Sequence, residues 1–201
     1  GTIIVAGDAQ QQVDPTSDLG GWDQVMAELG TKQFERAVLE VNYRCPPDVT
    51  ALARGIIEPG VHPALPDESI TRARHDHTAH LALRVLEPSY PSASVVVVCR
   101  SAEAARSLAR ALNHGVDVHV ALEGDFEFRP GICVTSVQEV KGLEFDHVLV
   151  ADAGASSWPD TPDSRRGLYV AVTRATHRLV LNSIGPWSRL IPPPAPGGEA
   201  R

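Results

Sequence analysis

The sequence predicts an α/β domain, a mostly parallel sheet with helices on both faces. Two observations carry that expectation. Apolar, β-branched runs recur at 2–6, 37–41, 83–86, 95–99, 116–122, 132–137, 147–151 and 178–181. Several are nearly continuous in Val, Ile and Leu, as strands covered on both faces must be. Segments of helical period alternate with some of them, which is the pattern of a doubly wound fold.

Taken in chain order, the run 2–6 reads as a strand, and Gly7-Asp8 closes it and delivers Gln10, Gln11 and Gln12. Polar groups outside the carboxyl end of such a strand are placed to touch a ligand, although Gly-Asp is also ordinary turn chemistry. Trp22 follows in "LGGWDQV" and reads as a packing residue. Pro46-Pro47-Asp48 starts a helix whose Val49, Leu52, Ala53 and Ile56 recur at i, i+3, i+4 and i+7. The stretch 59–80 holds three prolines and mixed charge, so an irregular short insert is expected there. In "SAEAARSLARALNHG", Ser101 is the N-cap, Ala105, Leu108, Ala109 and Leu112 share a face, and Gly115 is the stop. Another helix is expected over 164–173. The tail 192–201 is too rich in Pro and Gly to pack and should be disordered.

Composition limits the function. No apolar run is long enough for a membrane span, and no signal peptide or lipidation motif is present. Cys45, Cys99 and Cys133 are odd in number and contain no C-x-x-C pair, so they read as reduced thiols of a cytoplasmic protein. A net charge of −7 is unlike that of a free-standing nucleic-acid binder, and any such contact must rest on local groups. The chain starts at Gly1 and its single Met is Met26, so it is expected to be a piece of a longer protein.

Four motifs carry chemistry. "GDAQQ" offers Gln11, whose amide can sense a phosphate or orient a water. "NYRC" offers Tyr43, able to stack on a base, and Arg44, a planar fork matched to phosphate oxygens. In "SVQEVKGLEF", Gly142 permits close backbone approach, Glu144 suits ribose hydroxyls, and Ser136 and Gln138 can reach a phosphodiester backbone. In "LYVAVTRA", Arg174 lies near a helix end with Thr173 beside it. Singly, each has a plain structural alternative: a turn, a cap, a charged surface loop, a cation at a helix C-terminus.

In order and spacing, the four resemble motifs III, IV, V and VI of superfamily 1 helicases of the UvrD/Rep type, over essentially all of 2–182. The resemblance implies a RecA-like fold, with ATP and Mg²⁺ used by the intact protein. It implies that Gln11 couples the γ-phosphate to the DNA site, Tyr43 stacks on adenine, and Arg44 and Arg174 are arginine fingers. Glu144 would hold the ribose with Gly142 alongside. Ser136 and Gln138 stand where the family has Thr and His on single-stranded DNA. "NYRC" and "GDAQQQ" favour the UvrD/Rep branch over RecD-like relatives, and with it 3′→5′ movement.

The chain has no G-x-x-x-x-G-K-[ST] loop, and the family's Mg²⁺-binding Asp-Glu motif is absent too. The resemblance therefore places 1–40 at the trailing edge of a first RecA-like domain and 41–191 in the second. About 40 residues separate Ile56 from Val95, too few for the large 2B domain of UvrD and Rep. The expectation is the C-terminal motor half of a DNA helicase, inactive alone and with no ligand bound to it. Its partners would be single-stranded DNA and the missing N-terminal RecA-like domain, with RNA polymerase or repair proteins as further candidates and no membrane. The alternative is a non-catalytic module that keeps the fold and binds RNA polymerase, as HelD-like relatives do. His75, His77 and His80 match no standard metal spacing and have no nearby Cys, so no metal site is expected. His119 and His177 read as structural or solvent-facing.

Overall fold

The computed structural model describes residues 2–11, 20–31, 33–38, 43–61, 67–74, 93–112, 117–127 and 131–193. Among them, six strands form one sheet: β1 (Ile70–Ala73), β2 (Val95–Cys99), β3 (Val118–Ala121), β4 (Ile132–Ser136), β5 (Phe145–Val150) and β6 (Ala175–Asn182). Their order is β1-β6-β5-β2-β4-β3, and every neighbouring pair is parallel. The helices are α1 (Trp22–Glu28), α2 (Pro47–Ile57), α3 (Ala102–Leu112) and α4 (Pro162–Val172), and a 3₁₀ turn covers Ala9–Gln11.

The central strands are buried throughout, which explains their unbroken apolar sequence. Side chains alternate between faces, so Val96 and Val98 join one core while Val97 and Cys99 join another. The first core takes Val49, Leu52 and Ile56 from α2 and Leu168, Ala171 and Val172 from α4. Ala105, Ala109 and Leu112 of α3 close the second. Ser101 caps α3 as expected, its Oγ accepting from Ala104 N at 3.2 Å. The start of α4 differs from the expectation at 164. Thr161 is its N-cap, accepting from Ser164 N at 3.2 Å, and Pro162 opens the first turn.

Several expectations are corrected. The tail expected to be disordered from 192 is packed at its start, where Pro192 is buried and its carbonyl accepts from Arg72 Nη1 at 2.8 Å. Within 59–80, β1 is a true strand, with Ile70 in register with Leu179 and Ala73 with Asn182. It was hidden because an edge strand buries little, and only Ile70 of β1 is fully buried. The run 2–6 pairs with no strand among the described residues and leaves Ile3 and Ile4 67% and 88% exposed. Apolar character shows that a segment favours burial but does not supply a partner. Residues 33–38 likewise form no strand. The run 83–86, the end of 37–41, the histidines at 75, 77 and 80, Gly115, Gln12 and the tail from 194 lie outside the described residues. No helix among those described is long and apolar enough to cross a membrane.

The passage from β4 to β5 positions the site. These strands are not neighbours, since β2 lies between them. Residues 137–144 carry the chain from the carboxyl end of β4 back to the amino end of β5 without a helix. Turn bonds from Glu139 N to Ser136 O and from Leu143 N to Val140 O shape this crossover, both at 3.1 Å. Val137 and Val140 bury into the α2/α4 core and anchor it. The polar run of the crossover is therefore held at both ends, one at each edge of the sheet.

Candidate functional site

At the amino edge of β5 and β6, α4 ends, Arg174 follows, and β6 begins at Ala175. Phe145 N donates to Arg174 O at 3.0 Å, so the start of β5 fixes the main chain there. The Arg174 side chain turns inward and is only 1% exposed. Its Nε donates to Val170 O at 3.1 Å and its Nη1 to Leu143 O at 3.3 Å. Its Nη2 donates to Thr173 Oγ1 at 3.0 Å and to Gln11 Oε1 at 3.3 Å. All four acceptors are neutral. Burial pushes the Arg174 pKa down from the ordinary arginine value, and the nearby Arg44 cation pushes it further; Glu144 partly opposes both.

Arg44 arrives from the turn before α2. The buried Cys45 Sγ donates to Thr173 O at 3.3 Å, which ties that turn to the end of α4. Arg44 Nε meets Glu144 Oε1 at 2.6 Å, both side chains being about half exposed. Tyr43 beside it is 92% exposed, an aromatic face displayed to solvent. Gly142 has φ +83°, a left-handed conformation that glycine adopts freely, and open space where a Cβ would stand.

Gln11 reaches the same place from the 3₁₀ turn. Asp8 shapes that turn, with Oδ1 accepting from Gln10 N and Oδ2 from Gln11 Nε2, both at 2.9 Å. Tyr169 of α4 donates its hydroxyl to Asp8 Oδ2 at 3.3 Å. Burial, the Asp8 charge and this hydrogen bond push the Tyr169 pKa up to about 12. Trp22 lies by Gly7, whose missing Cβ would stand 3.1 Å from the indole ring, so it packs as expected.

The structure thus gathers Gln11, Arg44, Gly142, Glu144 and Arg174, with Tyr43 at the rim. Ser136 and Gln138 lie at the opposite, carboxyl edge. Gln138 is exposed, but Ser136 is 2% exposed, so its hydroxyl is not displayed to a phosphodiester backbone. As the last residue of β4 it pairs in register with Cys99 inside the sheet. Sequence reading passed over Asp8 and Tyr169, although both sit inside the motifs that supplied Gln11 and Arg174. Polar residues flanking a motif glutamine or arginine were the available signal.

Chemically, the amino edge offers two guanidinium groups, with the Glu144 and Asp8 carboxylates beside them, and guanidinium groups suit phosphate oxygens. It does not suit Mg²⁺. Glu144 is engaged by Arg44, and no group of three metal-ligating residues exists among those described.

Residues 131–182, from the start of β4 through β6, match the family model of the UvrD-like helicase C-terminal domain. That stretch is similar to the C-terminal part of UvrD-type helicases. That segment supplies Ser136, Gln138, Gly142, Glu144, Tyr169 and Arg174, while Gln11, Tyr43 and Arg44 precede it. The parallel sheet with its flanking helices has a RecA-like fold. It is similar to the C-terminal domain of a possible DNA helicase from Lactobacillus plantarum WCFS1, at TM-score 0.60 and 22% identity over 75% of this chain and 92% of that one. At that identity the likeness concerns the fold alone. Weaker overlaps occur with the E. coli DEAD-box protein SrmB bound to RraA (TM-score 0.40, 17% identity, 64% and 95% covered). Another is with an arterivirus nonstructural protein 10 helicase in complex with DNA (0.35, 18%, 71% and 36%). No curated protein matches the chain.

Proposed function

We propose that the chain is the C-terminal motor half of an ATP-dependent DNA helicase or translocase, in which Arg44 and Arg174 stabilise the γ-phosphate during transfer. The observation that carries this is the buried Arg174 guanidinium, which among the described residues donates to neutral oxygens only and lies beside a second arginine. Burying a cation without a carboxylate on it costs several kcal/mol, on the order expected for desolvation, and an incoming phosphate would offset that cost. Charge developing on the transferred phosphoryl group needs such fixed cations. Tyr43 would stack on the adenine and Glu144 would take the ribose.

Residues 1–40 belong, on this proposal, to the trailing edge of a first RecA-like domain. The unpaired, exposed Ile3 and Ile4 support that assignment, because strand neighbours from the rest of that domain would cover them. The same domain would supply the phosphate loop and the Mg²⁺ ligands that this edge lacks. Single-stranded DNA would run along the carboxyl edge near Gln138, so the β4–β5 crossover would join the two ligands mechanically. Closure and opening of the cleft would step the protein along one strand.

The test is ATP turnover, with and without single-stranded DNA, by the chain and by the full-length protein containing it. The chain should be silent and the full-length protein should be stimulated by DNA. Arg174→Ala should lower the full-length rate by about 10³-fold. Normal hydrolysis by that variant would end the assignment. The charge of −7 favours a second reading, a non-catalytic module that binds a protein such as RNA polymerase. Silence of the full-length protein, with polymerase retained in a pull-down, would select it.

A further inference from the structure

We propose that Asp8 and Tyr169 are positioning residues that hold the Gln11 side-chain amide in one of its two flip states, with its carbonyl turned to Arg174. The functional meaning rests on the nucleotide-edge proposal above; the geometry does not.

Gln11 stands between two groups of opposite demand. A carboxylate can only accept and a guanidinium can only donate. The amide must therefore turn its NH₂ to Asp8, at 2.9 Å, and its C=O to Arg174, at 3.3 Å. The reverse flip would face acceptor with acceptor and donor with donor. An exposed Asp8 on a turn would not hold that geometry unaided. Its second support is the Tyr169 hydroxyl, which donates to the same oxygen that receives Gln11.

The bonds close into a ring. Tyr169 O accepts Thr173 Oγ1 at 2.9 Å, and Thr173 Oγ1 accepts Arg174 Nη2 at 3.0 Å. Arg174 then leads through Gln11 and Asp8 back to Tyr169. One half of the ring is the rigid end of α4, and the other is the turn at Asp8–Gln11. Because the Tyr169 pKa is raised, its hydroxyl stays a neutral donor across the working pH range.

This gives the two motif elements a defined relation before any nucleotide arrives. When a phosphate oxygen takes over Arg174 Nη2, the Gln11 carbonyl is released as an acceptor while its NH₂ stays on Asp8. Gln11 then faces the cleft as an acceptor able to orient a water, not as a donor to phosphate. Asp8 and Tyr169 touch no reacting atom in this scheme; they act through Gln11.

The experiment is NMR on this chain, following the Gln11 side-chain NH₂ and the Arg174 guanidinium in wild type, Tyr169→Phe and Asp8→Asn. Asp8 is exposed, so Asp8→Asn is a variant that keeps its fold even if Tyr169→Phe should not. The expected result is hydrogen exchange of the Gln11 NH₂ accelerated about tenfold in both variants, with backbone protection of α4 retained. Asp8→Glu should restore part of the protection. Exchange equal to wild type in either folded variant overturns the proposal. No nucleotide enters this measurement, so failure of the ATP assignment would not change its outcome. Conversely, an unchanged Gln11 signal would remove this proposal and leave that assignment standing.

Discussion

Replacing Arg174 by methionine separates what this side chain does for stability from what it does for chemistry. Arg174 is 1% exposed and, among the described residues, makes four hydrogen bonds, none to a carboxylate. Its hydration is lost, at a cost of several kcal/mol, roughly, even after the surroundings relax. Arg44 adds repulsion. The four bonds offset most of that cost, so the net worth of the buried guanidinium to stability is small. Methionine gives up both sides of this balance and fills much of the space but leaves acceptors such as Leu143 O without this donor, so Arg174→Met should cost about 1–3 kcal/mol. Arg174→Ala adds a cavity and should cost about 3–5 kcal/mol. Leu179→Ala, at a fully buried apolar position, sets the scale at about 2–5 kcal/mol. Urea unfolding, read through tryptophan fluorescence, gives these differences if the m values agree. In the full-length protein, Arg174→Met should nonetheless lose about 10³-fold in turnover. A methionine variant less stable than Leu179→Ala would refute the reasoning, since Arg174 would then be a structural support and not a cation kept for a ligand.

Three further outcomes are expected. Glu144→Gln removes an ion pair whose members are 46% and 42% exposed, so stability should change by less than about 1 kcal/mol. Binding of inorganic tripolyphosphate, followed by calorimetry, should tighten in that variant because Arg44 loses its internal anion; weaker binding would argue against Arg44 as an anion receptor. Gly142→Ala should lose about 1–2 kcal/mol through backbone strain alone, since φ is +83° and no atom lies where the methyl would go. An unchanged urea midpoint would contradict a left-handed Gly142. His147 has its pKa lowered below 6.5 by burial first and by the Arg178 cation second. The folded state therefore binds this proton less readily than the unfolded chain. Stability from His147 is complete above about pH 6.5 and declines as the pH falls below it. His147→Asn should flatten that slope in urea midpoints measured between pH 7.5 and 5.5, the conditions being on the order of one unit either side of an ordinary histidine.

The strands at the centre of the sheet were legible because both their faces are covered. That environment demands an unbroken apolar run, and β2 was readable to the residue at 95–99. At the edges the demand relaxes: β1 buries one residue fully and left no comparable signature. The run 2–6 shows the opposite failure, apolar sequence without a neighbouring strand. Ser136 was read as a reachable hydroxyl, but a short polar residue looks the same in sequence at a strand end whether it faces solvent or the sheet interior.

The motif order by itself determined the family resemblance and nominated Gln11, Arg44, Glu144 and Arg174. Local chemistry sufficed there, because an arginine near a helix end or a glycine in a crossover carries its capability in its own side chain or backbone. Only the tertiary structure decided which of these residues meet. Parallel pairing sets the amino ends of β5 and β6 side by side. The crossover returns Glu144 to that edge and leaves Gln138 at the other. The Asp8–Tyr169 contact spans 161 residues of chain, a separation that no local pattern encodes. It exists because the turn at Asp8 comes to rest against α4, and the burial that withdraws water from Arg174 is likewise a property of the assembled edge.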